Sequence, residues 1–132
     1  MKKTILLILP MLALASCAKL NKEFTRKEIA LALKYANARL SNEIFDEDIL
    51  YDSIGFCNDE ITYHFSIDEE HIDIETMKEF REEIRDQHKS DLLIMENEGN
   101  QIFSMLNEID GKITYIYTGK ISGDTIKFTF TY

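Results

Sequence analysis

The sequence predicts an α+β domain: an antiparallel sheet of two hairpins with helices packed on one face, in the order α-β-β-α-α-β-β. Three observations predict it. Two stretches, near 49–68 and 113–132, alternate apolar and polar residues with the period of half-buried strands. The segment between them repeats its apolar residues every three to four positions, the period of amphipathic helices. Phe, Tyr, Ile and Leu are plentiful, whereas glycines number five and prolines one, which excludes disordered and collagen-like chains.

The first helix is expected over about 26–41. Thr25-Arg26-Lys27-Glu28 reads as a capping box, in which the Glu28 amide donates to the Thr25 hydroxyl and the Glu28 carboxylate accepts from the Thr25 amide. Phe24 and Ile29 stand at hydrophobic-staple positions, and Ile29, Leu33, Ala36 and Leu40 follow at helical spacing. In the first hairpin, Ile61, Tyr63, Phe65 and Ile67 alternate with Thr62, His64 and Ser66. Asn58-Asp59 suits a two-residue turn. That turn pairs Phe56 with Ile61, Ile54 with Tyr63 and Leu50 with Ile67, so one face is apolar throughout. A one-residue slip would mix the faces.

From Asp73, the expected N-cap, a helix over about 74–95 carries Ile74, Met77, Phe80, Ile84, His88 and Leu92 on one stripe. Glu98-Gly99-Asn100 breaks it. Ile102, Phe103, Leu106 and Ile109 mark a shorter helix at about 100–109, stopped by Asp110-Gly111. In the last hairpin, Ile113, Tyr115 and Tyr117 share a face on one strand, as do Ile126, Phe128, Phe130 and Tyr132 on the other. Ser122-Gly123 is the expected turn; a longer loop two residues out of register keeps the same faces. The expected core comprises Phe56, Ile61, Tyr63, Phe65, Phe80, Ile84, Tyr115, Phe128 and Phe130.

The chain begins differently. Lys2 and Lys3 precede an apolar run from Thr4 to Ala15 that Pro10 interrupts, and Leu14-Ala15-Ser16-Cys17 follows. The run is too short to span a bilayer, which takes ~20 apolar residues. These residues resemble the signal peptide of bacterial lipoproteins, whose lipobox places an aliphatic and two small residues before a cysteine. The resemblance implies a leader at 1–16, cleavage after Ser16 and a diacylglycerol thioether on Cys17. The residues that follow read as a tether to residue 24, making 17–24 the lipidated cysteine and tether, and a single domain at 25–132. The resemblance also implies a lipid-anchored place in the cell envelope. Ala18 after the cysteine, where aspartate retains such proteins in the inner membrane, favours the outer membrane of a Gram-negative cell. The element order of the remaining domain is weakly similar to that of small exported lipoproteins.

Charge and cysteine content narrow the partners. Fifteen basic residues against 24 acidic give −9; without the leader, 116 residues carry 13 against 24, or −11. After residue 27 the basic residues are scattered singly among acids, so no nucleic acid is expected as a partner. With Cys17 acylated, Cys57 stands alone and no intrachain disulfide forms. The expected partners are the membrane, through Cys17, and an envelope protein.

Reactive side chains collect on the polar face of the first hairpin. His64 stands opposite Ser53, while Cys57 lies ~13 Å along the strand from Ser53 at ~3.3 Å per residue. That separation argues against a nucleophile–base pair between Cys57 and His64. Ser53 and His64 form a cross-strand pair, but a hydrolase also needs an orienting acid and an oxyanion hole, and no Gly-x-Ser-x-Gly is present. Asp68-Glu69-Glu70-His71 with Asp73 is the densest set of metal-ligand types, yet its spacing matches no EF-hand loop. Acids before a helix also stabilise its N-terminal end. No cofactor motif is present.

The expected function is therefore binding, as an accessory, inhibitor or protective module. Tyr51, His64 and Ile116 are the candidate partner contacts on the uncovered sheet face. The alternative is an envelope hydrolase or metal-binding protein using Ser53 and His64 or the Asp68–Asp73 cluster.

Overall fold

The computed structural model describes residues 22–40 and 48–132. Cys17 and the expected leader lie outside them. The elements are α1 (Lys22–Leu40), β1 (Ile49–Cys57), β2 (Glu60–Ile67), α2 (Ile74–Glu79), α3 (Arg81–Asn97), α4 (Ile102–Glu108), β3 (Lys112–Gly119) and β4 (Thr125–Thr131). The fold class is α+β and the strands lie in the order β1-β2-β3-β4.

Both hairpins are antiparallel, as their patterns require. The seam between them is parallel, pairing Glu60 with Lys112 through to Ile67 with Gly119, so the sheet is mixed and not wholly antiparallel. The physical reason is the long connection. Helices α2 to α4 carry the chain back to the end where β2 begins, and the Lys112 amide donates to the Asp59 carbonyl at 3.0 Å. A strand that starts beside another's start runs parallel to it, and such pairs need a crossover.

The first turn is Asn58-Asp59, with φ of 53° and 63°. Two consecutive left-handed residues match the right-handed twist of the strands. Phe56 pairs with Ile61 and Ile54 with Tyr63 as expected, but the register then shifts between Tyr51 and Ser53. Asp52 is the extra residue of a β-bulge. Beyond it the faces exchange: Ile49 pairs with Ile67, Tyr51 with Phe65, and Leu50 moves to the outer face opposite Ser66. The second hairpin uses the longer loop, with Thr118 opposite Thr125, and keeps the expected faces.

Two helix expectations change. α1 starts at Lys22, within the expected tether, and Thr25 lies inside it, fully buried, instead of capping it. Glu23 in the first turn suits the helix dipole and pairs with Arg26 at 3.2 Å. The helix from Asp73 is split at Phe80, which closes α2 by donating to the Met77 carbonyl and opens α3. Phe80 turns outward and is 53% exposed, contrary to its expected place in the core.

The core lies between the helices and one sheet face. Ile61, Tyr63, Phe65, Tyr115 and Phe128 are almost fully buried in it, joined by Ile29, Leu33, Ile74, Leu92 and Leu106 from the helices. Phe56, Ile84 and Phe130 pack at its margin. Helix side chains occupy both sheet edges. Asn37 of α1 accepts from the Ile54 amide of β1 at 3.2 Å. Arg81 and Arg85 of α3 donate to the Lys127 and Thr129 carbonyls of β4 at 3.3 and 3.4 Å. Their guanidinium groups also lie over Phe128 and Phe130, at 5.7 and 5.3 Å from the ring centres. Occupied edges deny a template to other strands.

Candidate functional site

The sheet face turned away from the core is the candidate site. Alternation along four paired strands builds it in rows. Ser53, His64, Ile116 and Lys127 form one row; Gly55, Thr62, Thr114 and Thr129 form the next; Cys57, Glu60, Lys112 and Thr131 form the end row. In these three rows the residues are polar or small except Ile116, which is half-buried beside the exposed His64; Leu50, opposite Ser66, adds a second half-buried apolar side chain to the face. Thr114 is buried, its hydroxyl donating to Glu60 and bonded to the Thr129 hydroxyl at 3.0 Å.

Two of the three expected partner contacts, His64 and Ile116, are neighbours on this face. Tyr51 is not. The bulge at Asp52 turns it to the core side, where its ring lies edge-on to Phe65 at 6.3 Å and its hydroxyl donates to Asn37. Burial pushes its pKa up to about 12. Tyr51 therefore ties α1 to the hairpin.

Ser53 and His64 are register partners. The nearby acid Asp52 accepts from the Ser66 hydroxyl at 2.6 Å, so it is engaged away from His64. Cys57 is exposed at the far end of the hairpin opposite Glu60.

The Asp68–Asp73 cluster is divided among local duties. Glu69 accepts from the Ile121 and Ser122 amides at 2.8 Å each, and from the Ile74 amide at 3.2 Å. These bonds hold its carboxyl below the usual range. Gly119 lets it approach, since a Cβ there would lie 2.5 Å from Glu69 Oε1. Asp73 caps α2, accepting from the Thr76 amide and hydroxyl at 2.8 Å, and its pKa is lowered by them. Asp68 accepts from the Glu70 amide at 3.4 Å, and His71 Nδ1 lies 3.2 Å from Asp48. Among the described residues no three metal-ligand side chains converge.

His88 is buried, on the inward stripe of α3. Its ring stacks on Tyr115 at 4.0 Å and 7°, and Nε2 is 2.8 Å from the Tyr117 hydroxyl. Nδ1 and the hydroxyls of Tyr63 and Tyr115 are buried with no hydrogen-bond partner among the described residues. Burial drives the imidazole pKa down to about 4, so it is neutral at pH 7. The helical stripe placed His88 inward; its pairing with Tyr117 depends on strand order, which periodicity does not carry.

No family model matches the chain, and no curated protein matches it significantly. Among solved structures it is similar to the "putative secreted protein (PA3611)" of Pseudomonas aeruginosa, with a TM-score of 0.58 and 18% identity. The match covers 80% of this chain and 91% of that one. At that identity the likeness establishes a shared fold.

Proposed function

We propose that this chain is a lipid-anchored cell-envelope protein, held in the outer membrane where the cell has one, that acts by binding an envelope partner. The observation that carries the anchor is Leu14-Ala15-Ser16-Cys17 behind Lys2, Lys3 and a short apolar run. The description of the fold neighbour as secreted agrees with export. The proposed binding surface is the open sheet face, with Ile116 as its apolar contact and His64 beside it. Threonine hydroxyls around them supply adaptable hydrogen bonds, as interface rims do.

Cys17→Ser tests the anchor. The substitution should abolish metabolic fatty-acid labelling and release the protein from membranes or leave an uncleaved precursor. Unchanged labelling would refute the assignment. For the surface, a pull-down from solubilised envelopes should recover a partner with the parent protein and lose it with Ile116→Ser, at an unchanged melting temperature. Equal recovery would remove this face from the proposal. The hydrolase alternative would instead appear as an activity that His64→Ala abolishes.

A further inference from the structure

We infer that the outer side of α1 lies on an anionic phospholipid surface, so that the domain is oriented as well as tethered; the inference rests on the anchoring reading above. α1 turns Ile29, Leu33 and Ala36 to the core. Residues 24, 31 and 35 share one stripe of an α-helix, because seven and four residues are close to whole turns. In α1 that stripe is Phe24, Leu31 and Tyr35, which are 40%, 49% and 65% exposed. Lys27 and Lys34, also seven apart, lie beside it and are exposed. Apolar side chains flanked by lysines on a helix surface are the pattern of interfacial binding.

Charge distribution and chain length select the occupant. Residues 18–40 carry six basic and two acidic side chains, net +4, whereas residues 41–132 carry seven and 22, net −15. The basic segment is the one adjoining Cys17. Five residue steps separate Cys17 from Lys22, so the start of α1 is within ~18 Å of the acylated residue at ~3.6 Å per residue. An anionic surface at that distance attracts α1 and repels the acidic remainder. Each basic residue near such a surface strengthens attachment about fivefold.

The test uses the full-length lipidated protein carrying Tyr35→Trp, which introduces the chain's one tryptophan at an exposed position. It is reconstituted on phosphatidylethanolamine vesicles with and without phosphatidylglycerol. With phosphatidylglycerol, indole emission should shift to the blue and be quenched by brominated lipid. Adding Lys27→Glu and Lys34→Glu, or raising salt, should abolish both effects while the protein still floats with the vesicles. Floating protein whose indole stays solvent-like and unquenched would overturn the inference and leave the anchor standing. A blue shift that grows with protein concentration without lipid quenching would overturn it in favour of a second copy. Failure of the lipid-processed chain to float would overturn the anchor and this inference together.

Discussion

Acidification should destabilise this domain through His88 before its carboxylates begin to titrate. His88 is 3% exposed, packed among Tyr115, Tyr117 and Phe128, and its Nδ1 has no hydrogen-bond partner among the described residues. Burial lowers its pKa from 6.5 to about 4. In the unfolded chain it titrates at its ordinary value. Between the two values the unfolded state binds the extra proton, so stability falls as pH drops below ~6.5 and the loss levels off below ~4. The full loss is roughly 3 kcal/mol, of which about 2 kcal/mol has gone by pH ~5. Asp59, Glu69 and Asp73 have lowered pKa values, so their stabilisation is present above their ordinary values of 3.8 to 4.5 and is lost as pH falls below them. Over the range from pH ~7 to ~5, above those values, the difference between the parent and a variant lacking the imidazole therefore reads His88. Urea denaturation across that range, on the parent protein and on His88→Phe, measures the effect. The parent should lose about 2 kcal/mol more than the variant. Parallel curves would show that His88 is not buried neutral among these rings.

Phe128→Ala should cost ~3–5 kcal/mol, because it leaves a cavity beside His88 and Tyr117; an unchanged melting temperature would place Phe128 outside the core. Tyr51→Ala should destabilise by about 2 kcal/mol in thermal melts, since it removes the packing on Phe65 and the bond to Asn37. A neutral result would return Tyr51 to the open face. Glu69→Ala should speed hydrogen exchange at the Ile121 and Ser122 amides, whose acceptor it deletes; unaltered protection would separate Glu69 from that loop.

Periodicity carried most of the fold. Alternation from Ile61 to Ile67, from Ile113 to Tyr117 and from Ile126 to Tyr132 placed Tyr63, Phe65, Tyr115 and Phe128 inward, and Asn58-Asp59 set the first turn. What escaped it depends on contacts distant in sequence. A single extra residue, Asp52, reversed the faces before it and moved Tyr51 from the proposed surface into the core margin. Nothing local marks that bulge; packing against Phe65 and the Asn37 acceptor of α1 stabilise it. The Thr25 box was equally misleading, because a buried threonine inside a helix and a capping threonine share the same four-residue pattern. Strand direction was invisible for a different reason: parallel and antiparallel pairing of β2 with β3 bury the same apolar faces, and only the helical crossover distinguishes them. On the candidate face, His64 and Ile116 were legible as outward residues, whereas their adjacency follows from the parallel seam.

The anchor is the central claim, and the mass of the mature N-terminal peptide tests it most directly. Tandem mass spectrometry of protein purified from membranes should find Cys17 as the first residue, carrying a diacylglycerol thioether. A mature chain that begins elsewhere, or a Cys17 with a free thiol, would contradict the account.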